Sequence, residues 1–319
     1  MANKSNIQKI MAFSPHVEMI IRRLFHSRYI NFLIPKGNFR KNDVANKEFN
    51  FDNIIKYLKG IGVKSGDILI VHSAYKPLKA SGLSPASIID ALIGLVGPDG
   101  TLVMPVIRMY FDKTSGVDIL SENIDNIVFE YNVKESKVWT GILPKTLMNR
   151  KEAVISRFPL NTMAAVGSHA KEMFERELIE DIPAPNGANS AWKYCVDKNA
   201  WVISLGTDLA HSLTMIHTSE DVKMNDWPIK NWYRKVKFKI TDGDFQIEKT
   251  VLQRHPKWGM LHFGERILSK DLIKDEIIKS VDVQGVLVES LKSKSLFEYL
   301  NDRNYKGYPY FWINKFLKK

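Results

Sequence analysis

The chain has 319 residues, 45% hydrophobic and 25% charged, which excludes a disordered chain, a collagen-like repeat and a coiled-coil rod, since each needs a compositional bias absent here. Its one cysteine, Cys195, rules out an intramolecular disulfide framework, no Cys/His cluster has zinc-site spacing, and no apolar run approaches the ~18 residues of a membrane-spanning helix. A net charge of +11 favours anionic partners: nucleic acid, phosphorylated cofactors, nucleotide-linked substrates or an anionic membrane surface.

The excess charge is concentrated at the start. Residues 1–45 carry eight basic side chains against two acidic ones, a local +6, and read as a basic amino-terminal extension ahead of a single domain over 46–319. Within it, Ser14-Pro15 caps a helix whose Val17, Ile20, Ile21, Leu24 and Phe25 share one face, with Arg22, Arg23, His26 and Arg28 beside them. Such an amphipathic helix docks on its own protein or, over residues 15–34, makes a peripheral membrane contact.

From Phe49 onward, short apolar runs alternate with helical patterns. That rhythm predicts an α/β fold with a central, largely buried mixed sheet flanked by helices. Asp67 to Val71 reads as a strand. Ser84-Pro85 then caps a helix whose Ile88, Ile89, Leu92, Leu95 and Val96 form one face, and Gly97-Pro98-Asp99-Gly100 ends it before a strand over Thr101 to Met104. Residues 106–140 are polar, aromatic and weakly periodic, the pattern of a long irregular surface excursion. A further strand, Trp201 to Leu205, leads through a polar loop into a helix around Thr214 to Val222. Toward the carboxyl end, Val236, Phe238 and Ile240 alternate up to Thr241-Asp242-Gly243-Asp244, and Phe245, Ile247 and Lys249 continue the spacing: a C-terminal β-hairpin. The aromatic tail from Lys306 is expected to pack.

No Walker loop, G-x-G-x-x-G fingerprint or G-x-S-x-G elbow occurs. Chemistry is better sought in His217 and Glu220, three residues apart on a predicted helix just beyond a strand's carboxyl end, a spacing that puts both on one face. A carboxylate beside an imidazole fixes its tautomer and stabilises the imidazolium formed when it takes a proton. His72 and His211 read equally as structural histidines, Asp208 as an amine contact or a plain loop carboxylate, and the Arg254 to Trp258 run as a packing cluster or an anion clamp.

A resemblance ties these residues together. The run Gly66 to Ala74, then Ile89 to Leu92 and Gly97 to Pro105, resembles the opening of the aminoglycoside 3-N-acetyltransferase family. Ser156, Pro159, Thr162, Ala164, Ala165 and Gly167 resemble its R-S-x-H-P-x-x-S-x-A-A-x-G segment, Asn186 to Ser190 its Y-G-x-x-S loop, and Leu205-Gly206 with Thr214 to Glu220 its L-G …T-x-x-H-x-x-E segment. The colinear likeness covers roughly residues 50–225. It implies transfer of acetyl from acetyl-coenzyme A to a primary amine of an amino sugar, without a metal; the expected compartment, the cytoplasm, follows from the single cysteine instead. It further implies His217 as general base and Glu220 as its partner. His72, Ser73, Ser156 and Thr162 then lie toward the cofactor, and Asp208, Asn186 and Thr214 toward the acceptor.

Ile155, Phe158, Ala74 and Asn186 depart from the family's usual arginine, histidine, serine and tyrosine. The acceptor is either an aminoglycoside, whose modification gives antibiotic resistance, or a nucleotide-linked amino sugar of polysaccharide biosynthesis, which suits a basic chain better. The rival class is a non-catalytic fold relative that holds nucleic acid or an anionic membrane through its basic extension, although no nucleic-acid motif is present.

Overall fold

The computed structural model describes residues 48–110, 124, 126–210, 212–227, 230–256, 258 and 262–305, with Val17 and Ile20. Val17 and Ile20 are helical; the remainder of the expected amphipathic helix, the basic extension, His211 and the tail from Lys306 lie outside the described residues.

Local chemistry sets the first half of the main sheet. Asn50 caps α1 (Phe51–Gly60) by accepting the Asp52 amide at 2.8 Å, and Phe51, Ile54 and Leu58 form its buried face. β1 (Ile68–Ser73) is followed by the short α2 (Tyr75–Leu78) and by α3 (Pro85–Val96). Ser84 accepts the Ser87 amide at 3.1 Å with proline at the first helical position, and the five apolar residues predicted for its inner face are all buried. Gly97, at φ 67°, ends it and the chain turns into β2 (Thr101–Pro105).

Residues 111–123 and 125 of the 106–140 stretch lie outside the described residues; its described part is more ordered than the composition suggests. It contains β3 (Val128–Asn132), in which Phe129 and Tyr131 alternate into an apolar core; its sequence signal is weak because the other face meets solvent. Then come α4 (Ile142–Met148), β4 (Val154–Ile155), β5 (Met163–Gly167), α5 (Ala170–Phe174), α6 (Ala191–Asp197) and β6 (Trp201–Leu205). A 3₁₀ turn, Thr214–Ile216, leads into α7 (His217–Val222), where a single helix was expected. β7 (Tyr233–Asp242) and β8 (Phe245–Arg254) form the expected hairpin, longer than its alternation showed. α8 (His262–Lys274), β9 (Lys279–Val283), β10 (Val286–Lys292) and α9 (Ser293–Tyr305) close the described chain.

Among the described residues the main sheet has seven strands in the order β4-β5-β2-β1-β6-β10-β9. β1 lies parallel to both β2 and β6, whereas β5, β4, β10 and β9 run antiparallel to their neighbours, so the sheet is mixed. Alternate residues feed opposite cores, as a pleated strand requires. Ile68, Ile70 and Val202 meet Trp192 of α6, Leu272 of α8 and Leu296 of α9. Leu69, Val71 and Ile203 meet Leu58 of α1, Leu92 of α3 and Leu143 of α4. The β7–β8 hairpin stands outside this sheet and pairs with β3 instead. The main sheet ends in a different hairpin, β9–β10, whose turn residues Gln284 and Gly285 have φ of 53° and 87°, as a tight two-residue turn demands.

Candidate active site

Ligand crevices in open α/β sheets form outside the carboxyl ends of parallel strands, where connections diverge. Here β1, β2 and β6 end at Ser73, Pro105 and Leu205. The chain beyond β2 contributes Ile107 and Arg108 to a cleft, and the chain beyond β6 contributes Leu209, Leu213, Thr214, Ile216 and His217. The cleft consists of two cavities, of about 310 and 450 Å³. Ile107, Trp139, Asn161, His217 and Arg254 line both, so the two share a wall.

His217 opens α7, a six-residue helix in which His217, Thr218, Ser219, Glu220 and Asp221 are all buried. So many buried polar side chains on so short a helix have to be paired with neighbours. His217 Nδ1 lies 2.7 Å from Glu220 Oε1, and the Arg254 guanidinium stands 3.4 Å from the same nitrogen. A carboxylate can only accept, so Nδ1 carries the hydrogen and the neutral ring keeps its lone pair on Nε2. Asp221 accepts from the Tyr233 hydroxyl at 2.7 Å and the Asn186 amide at 2.9 Å. Burial, reinforced by the Glu220 charge, pushes its carboxyl up to about 7.

Asn186 is fully buried and works as a bracket. Its amide group donates to the Thr214 carbonyl at 3.2 Å and reaches the Thr218 hydroxyl at 3.4 Å, while its oxygen accepts from the Asn161 side chain at 2.7 Å. Asn161 takes the left-handed conformation, φ 49°, which asparagine tolerates better than most residues. The Trp192 indole, donating to the Asn161 carbonyl at 2.9 Å, holds it there. Behind the smaller cavity, His72, Ser204, Glu289 and Ser280 form one row across β1, β6, β10 and β9. Glu289, buried, accepts the Leu209 amide at 2.7 Å and the Ser280 hydroxyl at 3.1 Å, which ties the loop after β6 to the sheet.

The residues expected to carry chemistry therefore separate. His217, Glu220 and Thr214 line the cleft, and Asn186 braces it from behind. His72 lies buried on β1, where loss of solvent lowers its pKa to about 4 and keeps it neutral; neither it nor Ser73 lines either cavity. Ser156 and Thr162 also line neither. The Ser156 hydroxyl donates to Glu177 at 2.6 Å and the Thr162 hydroxyl to the Phe158 carbonyl at 3.0 Å. Asp208 is exposed and outside both cavities. The Arg254 to Trp258 run divides: Arg254 and Pro256 face the cleft, while His255 and Trp258 are buried, Trp258 stacked on Trp232 at 5.2 Å. Sequence reasoning passed over Asn161, Trp139 and Asp221; Asn161 sat at an unassigned position inside the Ser156 to Gly167 segment, and Asp221 lay one residue past the segment that ends at Glu220. No group of three His, Cys, Asp or Glu that could hold a metal occurs among the described residues.

Glu177 gives this scaffold a pH dependence. Burial pushes its carboxyl up to about 8, although the Ser156 hydroxyl and the Ala191 and Phe158 amides pull the other way. Above pH 4.5 the unfolded chain releases this proton while the folded chain keeps it. Stability is therefore lost as pH rises from there to about 8, by up to ~1.4 kcal/mol per pH unit, and Asp221 adds a second loss up to about pH 7. Denaturant titrations at pH 5, 6, 7 and 8 are expected to show this decline and a shallower one in Glu177→Gln. Equal slopes in the two proteins would exclude Glu177 as the source.

Residues 70–302 match the family model described as aminoglycoside 3-N-acetyltransferase. Over 171 residues the chain is 25% identical to aminoglycoside N(3)-acetyltransferase IX of Micromonospora chalcea, covering 51% of this chain and 58% of that enzyme. It is 26% identical over 175 residues to aminoglycoside N(3)-acetyltransferase III of Serratia marcescens, covering 54% and 64%. The matches thus span about three fifths of these curated relatives' length. In fold the chain is similar to aminoglycoside acetyltransferase AAC(3)-Xa, with a TM-score of 0.65 at 18% identity over 82% of this chain and 94% of that one. It is also similar to AAC-IIIb bound to CoASH, with a TM-score of 0.63 at 15% identity over 82% and 98%, and to AAC-VIa bound to sisomicin, 0.60 at 18% over 81% and 99%. Because the family match extends over residues 70–302, from β1 into α9 and so over the cleft and its histidine, the chain belongs to the aminoglycoside 3-N-acetyltransferase family.

Proposed function

We propose that this chain transfers acetyl from acetyl-coenzyme A to a primary amine of an amino sugar, with His217 as general base and Glu220 as its orienting partner. The carrying observation is the 2.7 Å imidazole–carboxylate contact in the wall common to two cavities of unlike chemistry. Leu209, Leu213, Ile216, Leu268 and Leu272 give the smaller cavity an aliphatic part, beside the Ser212, Thr214 and Ser269 hydroxyls, and among the described residues no carboxylate lines it. Methylenes and amides fit such walls, so these residues would hold the pantetheine arm. Glu220, Asp221, Tyr110 and Gln253 line the larger cavity, where carboxylates favour an ammonium.

His217 Nε2 takes a proton from the acceptor ammonium. The freed amine nitrogen bonds to the acetyl carbon as the carbon–sulfur bond breaks, the imidazolium returns its proton to the departing thiolate, and the neutral imidazole then takes the second proton from the acetylated nitrogen and passes it to solvent. The products are an N-acetyl sugar and free coenzyme A. Asn186 and Thr214 shape this geometry through Asn161 and the helix start. His72, Ser73, Ser156 and Thr162 support the walls of the cleft from behind, a role consistent with the internal bonds of Ser156 and Thr162. Asp208 would meet only the outlying part of an acceptor.

A nucleotide-linked amino sugar is the favoured acceptor. Both carboxylates of the larger cavity are already engaged, Glu220 with His217 and Asp221 with Tyr233 and Asn186, while Arg108 and Arg254 share the lining. That leaves little negative charge for a polycation. The relatives' sisomicin, apramycin and gentamicin ligands nonetheless belong in the test. Release of coenzyme A thiol should follow addition of acetyl-coenzyme A with nucleotide-linked amino sugars, and more weakly or not at all with these three drugs. Thiol release with no amino sugar of either kind would refute the activity.

A further inference from the structure

Trp139 is 78% exposed, whereas Trp192, Trp201, Trp227, Trp232 and Trp258 are all buried. An indole left in water forgoes a large burial gain, so its place matters. That place is the wall of both cavities, beside Ile107, Asn161, His217 and Arg254. Its backbone is fixed: the Trp139 amide donates to the Ile107 carbonyl at 2.8 Å, the Met109 amide to the Lys137 carbonyl at 2.8 Å, and Arg108 bridges Val138 between them. The side chain is thus presented on a held strand pair, with a broad aromatic face that no core claims.

Three parts of the reactants could use that face. The pantetheine arm is a flexible chain with no flat side. The adenine lies at the opposite end of that arm from the thioester, and the thioester has to be where His217 is. The remaining candidate is the sugar ring that carries the amine. A pyranose presents a face of C–H groups that packs on an indole, and its ammonium is drawn to the negative face of the same ring. Resting on the transferase reading of the cleft, we infer that Trp139 is the acceptor platform, seating the aminopyranose ring so that its amine meets His217 Nε2. The ring chemistry is common to aminoglycosides and nucleotide-linked amino sugars, so Trp139 sets the acceptor class as an aminopyranose without choosing between them.

Tryptophan fluorescence tests this apart from turnover. The spectrum of Trp139→Phe subtracted from that of the unaltered protein isolates the Trp139 emission, which acrylamide should quench readily. Sisomicin, UDP-glucosamine and free glucosamine serve as probes, with coenzyme A as the comparison. An aminopyranose probe is expected to protect this emission and shift it to the blue, and coenzyme A is not. The same protection is expected in His217→Ala, because seating precedes proton transfer. For whichever probe is acetylated, Trp139→Ala should raise the acceptor KM about tenfold, with the KM for acetyl-coenzyme A unchanged and Trp139→Phe intermediate. Protection by sisomicin alone, by UDP-glucosamine alone or by several probes supports the platform and names its source. Protection without turnover would sink the transferase reading and keep the platform. Absence of protection by every aminopyranose probe, or protection by coenzyme A instead, overturns it.

Discussion

His217→Ala is expected to lower acetyl transfer at neutral pH by about 10²–10⁴-fold, the range for loss of a positioned general base, while leaving coenzyme A binding near its original strength. The reason lies in the acceptor. A sugar amine is mostly protonated at neutral pH and attacks only as the free base, so a group has to take its proton within the closed complex. Nδ1 of His217 faces Glu220 at 2.7 Å, so the lone pair that takes the proton is the one on Nε2. The variant should regain activity as pH rises and the amine deprotonates in solution, whereas the unaltered enzyme levels off. A residue of purely structural importance would not give that recovery. Glu220→Gln keeps an oxygen for the ring but removes the charge that stabilises the imidazolium, and a smaller loss is expected. Thiol-release rates across pH, beside calorimetric titration of coenzyme A, decide the matter: undiminished turnover of His217→Ala at pH 7 removes His217 from the reaction.

Gly167→Ala should be among the most destabilising of small substitutions, by about 3–5 kcal/mol, or roughly 10 °C in melting temperature for a chain of this size. Gly167 ends β5 at φ 138°, outside the range comfortable for a side-chain-bearing residue. A Cβ there would stand 2.1 Å from the Gly100 carbonyl oxygen and 2.6 Å from Thr101 Cα. Both are backbone atoms of the adjoining strand and its lead-in turn, so no rotamer change relieves the contact. β5 would have to move off β2, disturbing pairs as far along as Met104 with Ala164. Gly243→Ala is the control: Gly243 also has a positive φ, 60°, but a Cβ there meets nothing within 4 Å. Thermal melts of the two variants should differ widely. Equal losses would show that backbone strain alone, and not the close approach of β5 to β2, accounts for the effect.

Some of this molecule was legible because the signal was local. Ser84-Pro85 and Gly97 mark both ends of α3 by capping chemistry acting over a few residues, and Trp201 to Leu205, apolar but for Ser204, matches β6 residue for residue. The His217–Glu220 pair is a property of helical spacing and survived the replacement of the helix's first turn by a 3₁₀ turn. β9–β10 was missed because its strands are short and half polar. Glu289, which anchors the loop after β6, looks on paper like any surface glutamate. Ser156 and Thr162 lie in a matching motif, yet the Ser156 hydroxyl is turned by Glu177, more than ten residues further along the chain, and the Thr162 hydroxyl turns back to the Phe158 carbonyl.

The sequence by itself determined β1, β2 and β6 as strands, the helix that joins β1 to β2, and the pairing of His217 with Glu220, since periodicity, caps and i,i+3 spacing act within a few residues; that β1 lies parallel to β2 and β6 came only with the sheet. Tertiary structure alone decided the cleft. Trp139, Asn161, His217 and Arg254 come from four distant segments and share a wall only after β7–β8 has paired with β3 instead of the main sheet. Contacts between segments so far apart are chosen by which apolar faces can be buried together, and no short stretch of chain records that choice.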